Sequence, residues 1–133
     1  MVVRITAVAE LDERPTAAHA TRSRADAGDR DSAWLLEQWQ EQRLVLARLN
    51  VTALAKDSGG DEISAERVVD DVWLERDDLP AVEAQVADVA PVVLHALAAE
   101  LRERGIDVDG DRLDASFLHV ELGERLRHAL ADG

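Results

Sequence analysis

Two glutamates and a histidine near the end of the chain have the spacing of metal ligands on a helix. Glu121, Glu124 and His128 are three and four residues apart, which places them on one helical face. Carboxylate-bridged di-metal bundles need a Glu-x-x-His pair on each of two helices, and the sequence contains no such pair. We therefore interpret the three residues as a solvated helix face and predict no metal ligands.

A second group with metal-binding residue types is the acidic tract DVDGD, which starts at Asp107. Calcium-binding EF-hand loops need glycine at the sixth position and a bidentate glutamate at the twelfth. Counted from Asp107, those positions hold Arg112 and Leu118. The tract, which includes Asp109 and Asp111, is therefore interpreted as an acidic turn at the N-terminus of the last helix, where negative charge is favoured.

Other catalytic and cofactor patterns are missing from the sequence. With no cysteine, zinc–thiolate sites, thiol catalysis and iron–sulfur clusters are excluded. No serine or threonine lies in a glycine-flanked nucleophile motif, and the Gly59-Gly60 turn has neither the spacing nor the lysine of a phosphate-binding loop. We predict a non-enzymatic protein with no catalytic residue and no cofactor.

The net charge of −13 is distributed unevenly along the 133 residues. Residues 1–56 contain eight acidic and eight basic side chains, whereas residues 57–133 contain twenty and seven. The electrostatic field of such an uneven charge distribution affects the solubility of the protein and its choice of partner. The segment 57–78 is the densest part, and two interpretations stay open: a solvated face, or a surface that imitates a phosphate backbone. The residues assigned to this acidic surface are Asp70, Asp71, Glu75, Asp77 and Asp78.

Hydrophobic periodicity predicts an all-α fold, a four- to five-helix bundle with a short N-terminal strand. The alternative is an α+β fold in which residues 2–8 pair with Ile106–Val108. Three regions are expected: an N-terminal strand segment over residues 1–13, a flexible linker over 14–30, and an acidic helical bundle domain over 31–133. The linker is predicted because residues 14–31 contain no large apolar side chain.

The first two predicted helices follow from apolar stripes. One begins at Asp31 or Ser32 and runs to about Ala55. The next begins after Ser64, and apolar residues three or four apart indicate its buried face. That stripe consists of Ala65, Val68, Val69, Val72 and Trp73.

The strongest helical periodicity lies between Leu79 and Leu101. Asp77 or Asp78 is the predicted N-cap, and Gly105 ends the segment with a C-cap in which Leu101 and Ile106 touch. Pro91 either kinks this helix or begins a new one. A last helix is predicted from about Arg112 to Ala131, unless its first part is a turn or a short strand before Gly123.

The first helix is apolar around more than half its circumference, so we expect a partner to cover part of it. The candidate interface consists of Trp34, Leu36, Trp39, Leu44 and Val45. Tryptophan is enriched at the energetic centres of protein interfaces. The predicted function is therefore a non-enzymatic protein–protein interaction module, which either self-associates as a homodimer or belongs to a larger bacterial or phage assembly.

The alternative function is an acidic inhibitor that occupies the cationic groove of a DNA- or RNA-binding protein. Direct nucleic-acid binding is not expected, because the charge has the wrong sign. No secretory signal and no 18-residue apolar run is visible, so a cytoplasmic location without membrane contact is predicted. A bacterial source is suggested by the composition, in which arginine replaces lysine at all but one basic position.

Overall fold

A computed structural model describes residues 2–110 and 112–131, and it has an α+β fold. The prediction of an all-α helical bundle is wrong, because three segments expected to be helical form strands. In chain order the elements are β1 (Val2–Leu11), α1 (His19–Asp26), α2 (Arg30–Gln40), β2 (Leu44–Lys56), β3 (Glu62–Glu75), α3 (Leu79–Val89), α4 (Leu94–Glu103), β4 (Leu118–Leu122) and α5 (Glu124–Ala131). Two short 3-10 turns cover Ala90–Val93 and Ala115–Phe117.

The four strands form one mixed sheet in the order β3-β2-β1-β4. The pairs β1–β2 and β2–β3 are antiparallel, and β4 lies parallel to β1. Ile5, in the middle of the sheet, pairs with Ala53 on one side and with Leu118 on the other. The alternative α+β fold is thus the correct class, but the parallel partner of β1 is residues 118–122 rather than Ile106–Val108.

The main core lies between one face of the sheet and the helices α3, α4 and α5. The sheet contributes both alanines and larger buried side chains: Ile5, Ala7, Ala9, Val45, Ala47, Leu49, Val51, Ala53, Ala55, Ala65, Val72, Leu74 and Leu122. The buried side chains of the helices include Val82, Val86, Leu94, Leu97, Leu101 and Leu126. Both layers therefore supply apolar volume to this core.

The predicted helix over residues 31–55 is divided between α2 and β2. Helix α2 ends at Gln40, and Gln42 adopts a left-handed conformation with φ 62°. Strand β2 then pairs on both sides, and its odd-numbered residues from Val45 to Ala55 face the main core. The prediction was wrong because β2 is rich in leucine and alanine, which favour helices locally. Pairing with two strands overrides that preference.

A β-bulge in β3 explains the second wrong helix. Ala47 pairs with Val72 and Leu49 with Val69, so Arg48 is opposed by both Asp70 and Asp71. Because the bulge inserts one extra residue, the core-facing side chains of β3 have odd residue numbers before the bulge and even residue numbers after it. Apolar residues therefore lie three and four apart across the bulge, which imitates the period of a helix.

The helical segment after β3 begins and ends as predicted. The Asp78 carboxylate accepts a hydrogen bond from the Ala81 N–H at 2.9 Å, which caps α3. Pro91 lies in the 3-10 turn that separates α3 from α4. At the far end the Ile106 N–H donates to the Leu101 carbonyl at 2.9 Å, and Gly105 has φ 87°. This is the predicted C-cap, and glycine adopts its positive φ without steric cost.

The segment Leu79–Glu103 is long and apolar enough to cross a membrane, with a mean hydropathy of 1.3. Its apolar side is nevertheless packed on the sheet, and the 3-10 turn interrupts it. A third of its most apolar window is buried inside the fold. Farther along, the single helix predicted over Arg112–Ala131 is wrong, and the alternative of a short strand before Gly123 is correct, since β4 precedes α5.

The bulge yields a test of backbone strain. Asp71 has φ 55°, a region that glycine adopts easily and that costs β-branched residues most. We expect Asp71→Gly to raise the free energy of unfolding by about 0.5 kcal/mol and Asp71→Val to lower it by about 2 kcal/mol. Urea unfolding followed by circular dichroism measures both. Ser64→Val, in the extended part of β3, is the control and should be neutral. If Asp71→Val and Ser64→Val lowered the free energy of unfolding equally, the backbone at Asp71 would not be strained.

Candidate interaction site

The helices α1 and α2 form a hairpin between β1 and β2, and this hairpin covers one end of the sheet face that α3–α5 leave open. The contact is a small apolar cluster separate from the main core. Leu46 and Trp73 contribute from the sheet, and Leu36 and Trp39 contribute from α2. Helix α1 lies within residues 14–30, for which the sequence predicts a flexible linker.

Trp39 is the residue on which the hairpin attachment is centred. Its ring centroid is 5.7 Å from that of Trp73, with an interplanar angle of 75°. This edge-to-face arrangement is favourable for aromatic pairs. On α1, the guanidinium carbon of Arg22 lies 5.4 Å from the Trp39 ring centroid, within cation–π range. One indole therefore contacts the sheet and both helices of the hairpin.

A charged network fixes the entry to the hairpin. The Asp12 side chain is 1% exposed, and its two oxygens accept hydrogen bonds from Nε and Nη2 of Arg14, both at 2.9 Å. Nη2 of Arg14 also donates to Oδ1 of Asp70 at 2.9 Å. Arg48 Nε lies 3.0 Å from the same oxygen without hydrogen-bond alignment, so this contact is an ion pair. The network joins β1, β2 and the bulge in β3.

The network also determines the charge state of its buried acid. Hydrogen bonds from the Arg14 side chain are the main cause that holds the pKa of Asp12 below its ordinary value. Burial opposes this effect, while the charge of Arg48 adds to it. The hydrogen bonds to the Asp12 carboxylate in turn raise the pKa of Arg14. Both partners are therefore charged at neutral pH.

A cleft of about 380 Å³ opens beneath the hairpin, between the end of β1, the start of β2 and the end of α5. Its walls are apolar and polar in similar measure, with Leu11, Trp39 and Leu44 among the apolar residues and Asp12 and Glu13 among the polar ones. Arg76 lines one side, and its Nη1 donates a hydrogen bond to the carbonyl of Ala129. A cation at the C-terminal end of a helix is stabilised by the helix dipole.

The structure divides the five residues of the predicted interface. Trp34 is 55% exposed on α2, whereas Leu36 and Trp39 are half-buried against the sheet. Leu44 and Val45 belong to β2 and are 7% and 4% exposed. Trp39, Leu44 and Val45 line the cleft together, but they do not share a helix face with Trp34. Of these five residues, Trp34 is the one that exposes a large apolar surface to solvent.

The five residues of the predicted acidic surface have different structural roles. Asp70 is paired with arginines in the network, and Asp71 forms the bulge. Glu75 ends β3 with an exposed side chain. Asp77 accepts a hydrogen bond from the Asp78 N–H, and Asp78 caps α3. They follow one another along the chain without forming one uniform row of free carboxylates.

The candidate metal-binding residues are also separated. Glu121 lies on β4, while Glu124 and His128 lie on α5. Among the described residues, 2–110 and 112–131, no group of three histidine, aspartate or glutamate side chains is placed to hold a metal. Asp111 of the DVDGD tract lies outside the described residues.

Sequence reasoning missed the network of Asp12, Arg14, Arg48 and Asp70. The two-residue spacing of Asp12 and Arg14 at the end of a strand is the only local signal for it. Asp70 is 56 residues from Arg14 in the sequence, and its approach depends on the β2–β3 pairing. The network can therefore be identified only when the pairing of the strands is known.

Removing the arginine from the network should destabilise the fold. In Arg14→Met the Asp12 carboxylate stays in place without its hydrogen-bonding partner, so we expect the free energy of unfolding to fall by clearly more than an exposed ion pair contributes. Arg125→Met is the control because Arg125 pairs with Glu13 at the surface, and it should cost less than about 1 kcal/mol. Urea unfolding at neutral pH compares them. Similar losses in both variants would show that the network contributes no more than a surface pair.

The lowered pKa of Asp12 makes stability depend on pH in a defined direction. Asp12 contributes stability above the ordinary aspartate value of 3.8, and this contribution is lost as pH falls through the lower pKa of the folded state. Urea titrations of the native chain and of Asp12→Asn should therefore differ by a constant amount down to about pH 4, and the difference should shrink as pH falls below that value towards the lower pKa of the folded state. A difference that stays constant down to about pH 2 would contradict the assignment.

Comparison with protein-family models, with curated proteins and with solved structures finds no match to this chain.

Proposed function

We propose that this protein is a non-enzymatic protein–protein interaction module that self-associates through the α1–α2 hairpin. The observation that carries the proposal is Trp34, a tryptophan 55% exposed on the outer side of α2. Its side chain is not part of the cluster that attaches the hairpin to the sheet. Covering it on a partner removes apolar surface from water at little cost to the fold.

Charge favours a second copy as the partner at this surface. Residues 14–43, which include the hairpin, contain five acidic and five basic side chains. The rest of the molecule carries the net charge of −13, so contacts between copies elsewhere would oppose like charges. The hairpin is the part of the surface where two copies meet with the least repulsion.

The expected arrangement is a twofold dimer in which the two α2 helices cross near Trp34. A twofold interface uses the same patch on both copies, and a tryptophan at its centre is typical of residues that dominate binding energy. The exposed charges around Trp34 then form the rim. A larger assembly, with this dimer as one component, is compatible with the same surface.

The alternative of an acidic mimic has weaker support. Asp70 is neutralised by two arginines, and Asp77 and Asp78 cap backbone groups. A mimic depends on a row of carboxylates available to a cationic groove. A cytoplasmic location is part of the proposal, and the lack of cysteine agrees with a reducing compartment.

Sedimentation equilibrium tests the self-association directly. We expect the native chain to form dimers reversibly and Trp34→Ala to weaken the dimer by about 30-fold, since central interface tryptophans contribute about 2 kcal/mol or more. High salt should not dissociate the dimer, because the contact is apolar. The free energy of unfolding of the variant should stay within about 0.5 kcal/mol of the native value.

Phe117→Ala is the matched control for this experiment. Phe117 is 50% exposed, similar to Trp34, but it lies at the other end of the sheet. The Phe117→Ala variant should dimerise with the same affinity as the native chain. A native chain that stays monomeric at all concentrations, or a dimer that Phe117→Ala weakens as much as Trp34→Ala, would overturn the proposal.

A further inference from the structure

Two adjoining clefts lie at the end of the sheet opposite the hairpin. The first, about 450 Å³, is bounded by the start of β1 and the loop between α4 and β4. The second, about 480 Å³, lies between that loop and the β2–β3 turn. Asp107 lines both clefts, and Val2 and Val3 line one each. Together they form a double cleft of the size that binds side chains or small ligands.

The floor of the double cleft is apolar and partly open to water. Leu113 and Ile106 are 3% exposed and form its base. Phe117 and Val3 are 50% and 43% exposed and stand at its sides. Phe117 lines the first cleft and Val3 the second, so two of the exposed large apolar side chains lie at the same end of the sheet, and exposed apolar surface that is grouped in this way is characteristic of binding sites.

The rim of the double cleft is acidic. Among the described residues, Asp107, Asp109 and Asp114 line the first cleft without a basic side chain, and Asp57 lines the second with Lys56. The Asp114 carboxylate accepts a hydrogen bond from the Ser116 N–H at 2.9 Å, which lowers the pKa of Asp114 and keeps it ionised. Asp107 and Asp109 have exposed side chains. The floor thus attracts apolar groups while the rim attracts cations.

We propose that the double cleft binds a polypeptide segment of a partner protein in which arginine or lysine side chains flank a bulky apolar side chain. The apolar side chain packs on Phe117 in the first cleft, and the cationic groups pair with Asp107, Asp109 and Asp114 at its rim. The aliphatic stems of arginine and lysine cover apolar surface while their charged ends reach carboxylates. An arginine over the Phe117 ring gains a cation–π contact as well.

This site is separate from the hairpin surface and does not depend on self-association. Strand β1 runs from Val2 at the double cleft to Leu11 at the hairpin, a distance of about 30 Å. A dimer joined through the hairpins therefore leaves both double clefts free. Each copy can bind one basic segment at the same time.

Fluorescence anisotropy with labelled synthetic peptides tests the proposal. One peptide alternates arginine with leucine, and a second replaces every leucine by serine and keeps the charge. We expect the arginine–leucine peptide to bind more tightly than the arginine–serine peptide at about 0.05 M salt, and to lose affinity at about 0.5 M, where exposed ion pairs are screened. Spermidine, which has charge without apolar side chains, should compete poorly.

Variants separate the contributions of rim and floor. Asp107→Asn with Asp109→Asn should weaken the arginine–leucine peptide about tenfold, at about threefold per exposed charge. Phe117→Ser should weaken the same peptide by about tenfold and leave the arginine–serine peptide unchanged. Because the aspartate variant removes only exposed side chains, it tests the site even if Phe117→Ser is destabilised.

The control variant removes the same charge elsewhere. Glu83→Gln with Asp88→Asn neutralises two exposed acids of α3 and should change peptide affinity by less than about twofold. Trp34→Ala should also bind the peptide normally. Equal losses in the control and cleft variants, equal affinity for both peptides, effective competition by spermidine, or no binding of the arginine–leucine peptide would each overturn the proposal.

Discussion

The packing of three helices on one face of the sheet is the constraint on which the rest of the structure depends. Strands β1, β2 and β3 present alanine together with larger side chains, such as Ile5, Leu49 and Leu74, to the helices. Valine and leucine of α3, α4 and α5 pack against them, because protein interiors are close-packed. The helical layer therefore occupies this face. The other face is covered only where the α1–α2 hairpin lies on it, and the two candidate surfaces are found at opposite ends of the strands.

The elements that could be predicted from the sequence are those set by local signals. The C-cap at Gly105, the cap at Asp78 and the break near Pro91 all act within a few residues, so the helical pair α3–α4 was predicted with nearly its observed limits. The strands β2 and β3 depend on distant partners. Leucine and alanine in β2 favour a helix when read alone, and the bulge at Asp71 removes the two-residue alternation from β3.

The same distinction applies to the candidate surfaces. Residue type alone identified Trp34 and Trp39 as candidates, because large aromatic side chains dominate both cores and interfaces. Their separation into an exposed and an attached tryptophan could not be predicted, since it follows from the chain reversal near Gln42 and from the contact with Trp73. The acidic tract at Asp107 was predicted to cap the last helix, whereas Asp107 and Asp109 lie in the loop between α4 and β4. The cleft beside Asp107 is also lined by Val2 of β1 and by Phe117, which only the fold brings close to it.

The parallel pairing of β1 with β4 has a consequence for the order in which a nascent chain can fold. The antiparallel partner of β1 is made soon after it, so β1, β2 and β3 can pair while synthesis continues. The other side of β1 pairs with Leu118–Leu122 and stays open until most of the chain has left the ribosome. An unpaired strand edge invites association with other chains, and pairing over a long sequence separation is slow. In the interval before β4 docks, the open edge of β1 is therefore exposed to pairing with other chains.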